Sequence, residues 1–419
     1  MTQTLDYESK PTATSTRVLF LLGTMMFLQY AVQGVWMPIL PGYLQASIEK
    51  GGLGFNESQI GWIMGLAGAL GAFAAPFIAG QLADRYLNGE RSLALLMLLS
   101  GVAFYITAGQ THFAPFLLLA IFFSIAYQPT LSITNSVAFA NLKNPERAFP
   151  PLRMLGTIGF IVALNLFSWI WLGARDERVN ITRVGQSLKV AGALSVVYAA
   201  FCLLLLPKTP PKKSVEHPLA FLEAFGLFRN PGFAVIMVLS LPIAVIHSAY
   251  FIRISPFLTD AIGLKQQYVG PATTLGQVSE ILCLLGLGYL LKRLGYKKVL
   301  AIGAAAYVLR FFIFALGGPK PLVIAAIALH GVCFSCFLAA AYIYIERVAP
   351  SDARHSAQTV FGMVAIGLGP LLAGFYNRFW SAQDYSHFWW TQAAIAAGTM
   401  LLLLVLFPKE QFAEKVDRA

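Results

Sequence analysis

One acidic residue stands inside a long apolar run of the sequence, and its neighbours suit the binding of a polar solute. Glu280 lies in the stretch TTLGQVSEILCLLGLG, three residues after Gln277. At that spacing both side chains fall on nearly the same face of a helix. A carboxyl group there can accept hydrogen bonds from a solute, or it can carry a proton whose binding accompanies that of the solute. If the run crosses a membrane, such a charge is costly and usually functional.

Other ionisable residues interrupt apolar runs in the same way. The cations among them are Arg153, Arg253 and Arg310, and the imidazoles are His247 and His330. Either Arg153 or Arg310 offers Glu280 a purely structural alternative, as its partner in an ion pair. The two histidines are either packing residues or members of a polar cavity.

The composition shows what surrounds these groups. The chain has 419 residues, of which 57% are hydrophobic and 12% charged, with a mean hydropathy of +0.67. Soluble domains carry about 25% charged residues, so too little polar surface is left here to cover a soluble globule. At about 35 residues for a membrane-spanning helix and its loop, the length allows about twelve spans. The net charge of +11 is spread between the runs, which argues against a nucleic-acid partner.

Polar segments divide the apolar runs into two sets of six. The division predicts an N-terminal tail over 1–17, a six-helix bundle over 18–206, a linker over 207–231, a second six-helix bundle over 232–407 and a C-terminal tail over 408–419. The sequence therefore predicts an all-α membrane protein whose two halves meet in the bilayer. Transporters built from such repeats bind their solutes near the midplane, between the halves.

Lysine and arginine set the expected orientation. If both tails and the linker lie on one side, that side holds 19 of the 30 basic residues and the opposite side holds eight. Cytoplasmic loops carry the excess of positive charge. Both termini are therefore predicted to be cytoplasmic.

Two short charged motifs occupy corresponding positions in the two halves. GQLADR begins at Gly80 after the second run, and GYLLKR begins at Gly288 after the eighth. Both resemble the loop motif that the major facilitator superfamily repeats after spans 2 and 8. There the glycine permits close helix contact and the charges latch the halves in one state, which implies this role for Gly80, Asp84, Arg85, Gly288 and Arg293. The alternative is an ordinary basic flank of a span.

Longer strings resemble one family of that superfamily along nearly the whole chain. They are FLQYAVQGVWMPILPGYL in span 1, SIAYQPTLSITNSVAFANL in span 4, FPPLRMLGTIGFI opening span 5, GQVSEILCL in span 8, VLRFFIFALGG in span 9 and HSAQ opening span 11. In this order and spacing they resemble the nucleoside:H⁺ symporters. The most specific part is YxPTLxxxN followed by FPPxRxxGTIGF.

The resemblance implies a nucleoside site between the halves. Arg153, Thr157 and Phe160 match the family's R-x-x-x-T-x-x-F, and Gln277 and Glu280 match its Q-x-x-E. Phe334 matches an aromatic of span 10. The expected site also includes His330 of span 10 and, from the strings of spans 1 and 4, Gln29, Tyr127 and Asn135. A nucleoside offers a flat base for stacking, and its polar edges need amide, carboxylate and guanidinium partners.

Two positions depart from the family pattern. His330 stands where a tyrosine is expected, and Ser335 stands where an aspartate is expected directly after the aromatic of span 10. That aspartate is a natural proton carrier, so its absence leaves Glu280 and then His330 as candidates. The amide residues of span 7 have no clear match, and His247, Ser248 or Tyr250 can take their place.

The sequence thus predicts a proton-coupled nucleoside importer that works by alternating access, expected as a monomer in the inner membrane. It is not expected to be an enzyme. The sequence has no phosphate-binding loop and no metal-ligand cluster, so no cofactor or metal is expected. The alternatives are an uncoupled nucleoside facilitator, a carrier of another polar solute such as a sugar, and an exporter or membrane receptor.

Overall fold

The computed structural model describes residues 14–81, 86–210, 226–350 and 354–408, and within these ranges the regular structure is entirely helical. The predicted linker is only partly covered, and most of both predicted tails lies outside the described residues. We call residues 18–206 the N-terminal half and residues 232–407 the C-terminal half. The end of the molecule near the linker is the linker end, and the opposite end is the distal end.

Nine α-helices occur among the described residues of the N-terminal half. They are α1 (Thr16–Gly34), α2 (Leu40–Gln45), α3 (Glu57–Gly61), α4 (Ala67–Gln81), α5 (Gly89–Thr107), α6 (Phe113–Asn141), α7 (Pro145–Trp171), α8 (Glu177–Gly185) and α9 (Ser187–Leu204). A π-helical turn, Trp62–Leu66, joins α3 to α4 without a loop. Helix α1 packs on α7, α4 on α6, and α5 on both α6 and α9.

Eight α-helices lie in the part of the C-terminal half that the structure describes. They are α10 (Pro231–Pro256), α11 (Gln266–Leu316), α12 (Lys320–Ile327), α13 (Leu329–Cys333), α14 (Ala340–Val348), α15 (Arg354–Gly362), α16 (Gly369–Asn377) and α17 (Tyr385–Leu406). π-Helical segments extend α10 over Phe257–Ala261, join α13 to α14 over Phe334–Ala339 and join α15 to α16 over Met363–Leu368. Between the halves, α7 packs on α11, and the α3–α4 segment packs on the α15–α16 segment.

Local sequence signals mark where these helices begin and end. Asn56 caps α3 in a reciprocal capping box with Gln59, and Asn144 and Asn230 cap α7 and α10, each directly before a proline. Such side chains satisfy amide groups that the first helical turn leaves unpaired. The 51 residues of α11 are interrupted at Gly295, where φ is 76° and ψ is 167°.

The outer surface is apolar, as a lipid-facing surface must be. Phe20, Leu285 and Val405 are 72%, 72% and 78% exposed. Ten helical segments of the described residues are long and apolar enough to cross a membrane. One of them is α11, whose two arms on either side of Gly295 each have the length of a span. Together with α1 this arrangement allows twelve passes, although the exact number remains a prediction.

Candidate functional site

Helix α7 presents the first predicted group, Arg153, Thr157 and Phe160, at helical spacing along the surface facing α1. The Arg153 guanidinium lies over the Tyr30 ring at 4.1 Å from its centroid. Thr157 is half-buried and Phe160 is buried. A cation above an aromatic face is attracted by the ring quadrupole. The arginine of the span 5 motif is therefore held against an aromatic residue of α1.

The second predicted group, Gln277 and Glu280, lies on the first arm of α11. Gln277 is buried, and its Oε1 atom has no hydrogen-bond partner among the described residues. Helix α13 crosses so close to this segment that a Cβ at Gly331 would collide with the backbone of Ser279 and Glu280. Only glycine permits that approach. It brings the middle of span 10 directly against Ser279 and Glu280.

The ion pair considered as a structural role for Glu280 is not formed. Neither Arg153 nor Arg310 lies within 4.0 Å of the Glu280 carboxylate in the described part of the chain. Arg153 is close enough for its charge to act on Glu280. Glu280 is half-buried in a largely apolar setting. Its carboxyl group has no ion-pair partner there among the described residues.

A buried guanidinium lies behind this group, in the C-terminal half. Arg310 is fully buried, and its Cζ atom lies 4.3 Å from the Tyr250 ring centroid and 4.6 Å from that of Phe311. Its Nη1 is 2.9 Å from His330 Nδ1, whereas Nε and Nη2 have no described partner. A buried charge with so few polar partners is costly. The presence of Arg310 here is therefore better explained by a functional role than by a contribution to stability.

The Arg310 contact determines the tautomer of His330, that is, which ring nitrogen carries the hydrogen. A guanidinium can only donate hydrogen bonds, so His330 Nδ1 must accept and the ring hydrogen lies on Nε2. His247 stacks on the same ring at 5.1 Å between centroids, and its own Nδ1 is 2.7 Å from the Tyr307 hydroxyl. His330 is therefore held as a neutral donor, beside Gln277 and Glu280.

Three predicted site residues of the N-terminal half differ in their hydrogen bonding: Gln29 and Tyr127 are bonded inside the bundle, whereas Asn135 has a side-chain oxygen with no described partner. Gln29 donates from Nε2 to Thr130 and accepts at Oε1 from Thr134, at 2.8 and 3.0 Å, and its backbone carbonyl accepts from the Tyr127 hydroxyl at 2.6 Å. Gln29 and Tyr127 therefore use these polar groups inside the bundle. Asn135 is half-buried, and its Oδ1 atom has no described partner.

The span-10 and span-7 residues meet around the two histidines. Phe334 begins the π-helical segment after α13, and its ring centroid lies 5.9 Å from that of His247. Tyr250 contacts His330 at 5.4 Å. Ser335 is buried and donates to the Glu280 carbonyl at 3.4 Å. The position where an aspartate was expected therefore touches the backbone of Glu280.

Comparison with known proteins identifies the family of the chain. The model of the family described as "Nucleoside H+ symporter" matches residues 16–412. The chain belongs to this family. YegT of Escherichia coli (strain K12), named as a candidate nucleoside transporter, is 34% identical over 84% of this chain and 81% of its own. Xanthosine permease of the same strain is 29% identical over 92% and 94%.

A solved structure extends the similarity to the fold. A crystal structure of a variant of the nucleoside transporter NupG covers 93% of this chain and 100% of its own, with a TM-score of 0.82 and 25% identity. This family member thus has the major facilitator fold and is a multi-pass membrane protein. Its family consists of transporters, so it is not an enzyme.

The predicted latch of this family member is only partly visible. Asp84 and Arg85 lie outside the described residues, and Gly80 is the second-to-last residue of α4. In the second copy, nothing approaches within 4 Å of a Cβ built at Gly288, and Arg293 donates to the Tyr289 hydroxyl at 2.9 Å. The latch role of all five residues therefore remains a prediction.

Sequence reasoning, which singled out Glu280, missed a buried acid at the distal end. Glu57 is 8% exposed. Its Oε2 lies 3.2 Å from Arg253 Nη2. Asn377 donates to the same oxygen at 3.0 Å. The available signal was Arg253 itself, because an arginine inside an apolar run needs an anionic partner.

Proposed function

We propose that this chain imports nucleosides together with protons by alternating access, as a monomer in the inner membrane with both termini in the cytoplasm. The carrying observation is Glu280, which has no ion-pair partner among the described residues and lies beside the unpartnered amide oxygen of Gln277, in a member of this family. Such a carboxyl group can exchange a proton and can bind a polar solute. The relatives named above as nucleoside transporters and the xanthosine permease support the substrate class.

The surrounding groups offer what a nucleoside needs. Phe160 and Phe334 provide aromatic faces on which a flat base can stack. Arg153 and the Nε2–H of His330 are donors, while Gln277 Oε1 is an unused acceptor. Leaving such groups unmatched costs about 1–3 kcal/mol each. A ligand with complementary polar edges therefore gains affinity here.

The proton is assigned to Glu280 rather than to His330. A proton added to His330 Nδ1 would displace the hydrogen bond from Arg310 and place two cations 2.9 Å apart. Glu280 has a carboxyl group without such a neighbour. Because Ser335 replaces the expected aspartate, an uncoupled nucleoside facilitator is the second candidate, and the coupling experiment separates the two.

The coupling experiment compares Glu280→Gln with the parent in proteoliposomes that carry an inward proton gradient. We expect the variant to lose accumulation against a nucleoside gradient and to retain counterflow exchange of nucleoside, because only the proton step is removed. Glu49→Gln changes an exposed acid at the distal end and serves as the matched control. Normal nucleoside accumulation by Glu280→Gln would show that Glu280 does not couple transport to protons. If the parent protein itself never accumulates nucleoside, it is a facilitator.

The substrate is tested separately by thermal stabilisation of the purified protein with a panel of nucleosides, nucleobases and sugars. A ligand at 100 times its Kd adds about 2.7 kcal/mol of apparent stability. We expect nucleosides to stabilise the parent, and Arg153→Ala and Gln277→Ala to lose the effect. Stabilisation by sugars alone would instead assign another polar solute to the same fold.

A further inference from the structure

We propose that Glu57, Arg253 and Asn377 form the gate that closes the transport pathway at the distal end, which faces the outside. The inference rests on the alternating access proposed above and adds three residues that belong to neither the site nor the predicted latch. Glu57 belongs to the N-terminal half, whereas Arg253 and Asn377 belong to the C-terminal half. Their contacts therefore hold the two halves together.

The three side chains form a closed set of polar contacts. Arg253 Nη2 pairs with Glu57 Oε2 at 3.2 Å, and Arg253 Nε donates to Asn377 Oδ1 at 2.7 Å. Asn377 Nδ2 completes the set by donating to Glu57 Oε2 at 3.0 Å and to the Glu57 carbonyl at 2.8 Å. The Arg253 side chain is fully buried and that of Glu57 is 10% exposed. Burial makes each charge depend strongly on its partner.

The set is asymmetric in a way that suits a gate. Arg253 also donates to the carbonyls of Ser381 and Trp380 at 3.1 and 3.4 Å and packs on Phe388, all within its own half. If the halves part, the guanidinium keeps these partners and Asn377. Glu57 loses every contact described above and must be hydrated. Opening therefore exposes one carboxylate and leaves the arginine held in place.

Water has a route to that carboxylate. A cleft of about 440 Å³ lies at the seam, and Gln45, Asn56, Glu57 and Ser58 of one half and Arg378 and Trp380 of the other are among its lining residues. Glu57 can be solvated from this cleft as soon as the pair separates. The cost of breaking a buried pair is lower when water can replace the lost partner.

The backbone at the seam is packed tightly enough to seal it. A Cβ placed on Gly374 of α16 would collide with the carbonyl oxygen of Gly61 in α3, and the reverse is also true. Nearby, Gln45 donates to the Tyr385 hydroxyl at 3.1 Å, and Ser255 approaches the Ile39 carbonyl at 3.5 Å. The ion pair thus crosses a closely packed surface that must separate before solute can enter from this side.

Labelling from outside tests the gate without any nucleoside. The four native cysteines, Cys202, Cys283, Cys333 and Cys336, are first replaced, and Ser255→Cys is introduced because Ser255 is fully buried at the seam. A membrane-impermeant maleimide is then applied to right-side-out vesicles. We expect slow labelling in this background and labelling at least tenfold faster when Glu57→Gln is added. The reversed pair, Glu57→Arg with Arg253→Glu, is expected to restore slow labelling.

His387→Gln provides the matched control. It removes a polar contact at the same end, His387 Nδ1 to Asp384 Oδ1 at 2.8 Å, that lies within one half and is exposed. We expect it to leave the labelling rate unchanged. If Glu57→Gln loses its cooperative melting transition, the labelling rate of Asn377→Ala is measured instead. That variant lacks two hydrogen bonds to Glu57 but keeps both charges. An unchanged labelling rate in a folded gate variant overturns the gate even if nucleoside uptake is normal, and faster labelling supports it even if nucleosides are not the substrate.

Discussion

The corresponding polar clusters of the two halves differ in how completely their hydrogen bonds are satisfied. In the N-terminal half, on the first and fourth spans, Gln29 bonds to Thr130 and Thr134 and accepts from Tyr127 through its carbonyl. In the C-terminal half, on spans seven to ten, His330 is the only described residue that forms a hydrogen bond with Arg310, and two guanidinium nitrogens have no partner in the described part of the chain. Satisfied networks stabilise one structure, whereas unsatisfied groups are candidates for ligand-dependent roles.

The largest expected effect comes from Arg310→Met, which removes the donor that orients His330. Hydrogen bonds from charged groups contribute about 1.5–3 kcal/mol, and 1.4 kcal/mol is a factor of ten in affinity. We expect the Kd for nucleosides to rise at least tenfold, measured by ligand-induced thermal stabilisation. The melting temperature without ligand should hold or rise, because the buried charge has few polar partners to compensate its desolvation.

Arg175→Met, in an exposed distal loop, is the matched control and should change neither quantity. A collapse of the ligand-free melting temperature in Arg310→Met would make the C-terminal cluster as structural as the N-terminal one, and the contrast between them would disappear.

The second effect is expected at Gln29→Leu, the centre of the N-terminal network. The change removes two buried side-chain hydrogen bonds, from Gln29 to Thr130 and from Thr134 to Gln29, and each contributes about 0.5–1.5 kcal/mol. We expect a lower melting temperature and an unchanged nucleoside Kd. Gln383→Leu, on the exposed distal loop, controls for the loss of an amide. The opposite pattern, with weaker binding and intact stability, would place Gln29 in the substrate site as the sequence predicts.

The smallest effect is expected at Tyr127→Phe. It removes one hydrogen bond, to the Gln29 carbonyl at 2.6 Å, and keeps the ring contact with Phe104. The loss should be about 0.5–1.5 kcal/mol of stability, seen as a small fall in melting temperature with the Kd for nucleosides preserved. Tyr105→Phe, on the exposed apolar surface, should leave the melting temperature unchanged. A large loss of affinity in Tyr127→Phe would show that the hydroxyl serves the ligand.

The helical fold and the polar residues of the spans could be read from the sequence because both follow from local pattern. Low charge and long apolar runs predict membrane helices, and an acid inside such a run is visible wherever it lies. Glu280, Arg153 and Gln277 were found in this way. The family strings added Thr157, Phe160 and Phe334, whose residue types alone are ordinary packing residues.

The hydrogen-bond and ion-pair partners of these polar side chains could not be predicted from the sequence, because they depend on which helices pack together. Arg310 and His330 lie 20 residues apart and meet only because α13 packs on the second arm of α11. Glu57 sits in the first turn of a helix, where an acid is ordinary, and its pairing with Arg253 spans the two halves. Long-range contacts of this kind decide whether a polar group is satisfied or free.

The interruption of α11 at Gly295 has a mechanical consequence. The first arm, about 43 Å long at 1.5 Å per residue, carries Gln277 and Glu280, and the second arm carries Arg310. A single non-helical residue joins them, with no slack loop between. The two arms are therefore rigidly connected, so a tilt of the first arm is passed on to the second arm, whose Arg310 contacts His330. A flexible insertion at Gly295 is expected to uncouple the two tilts.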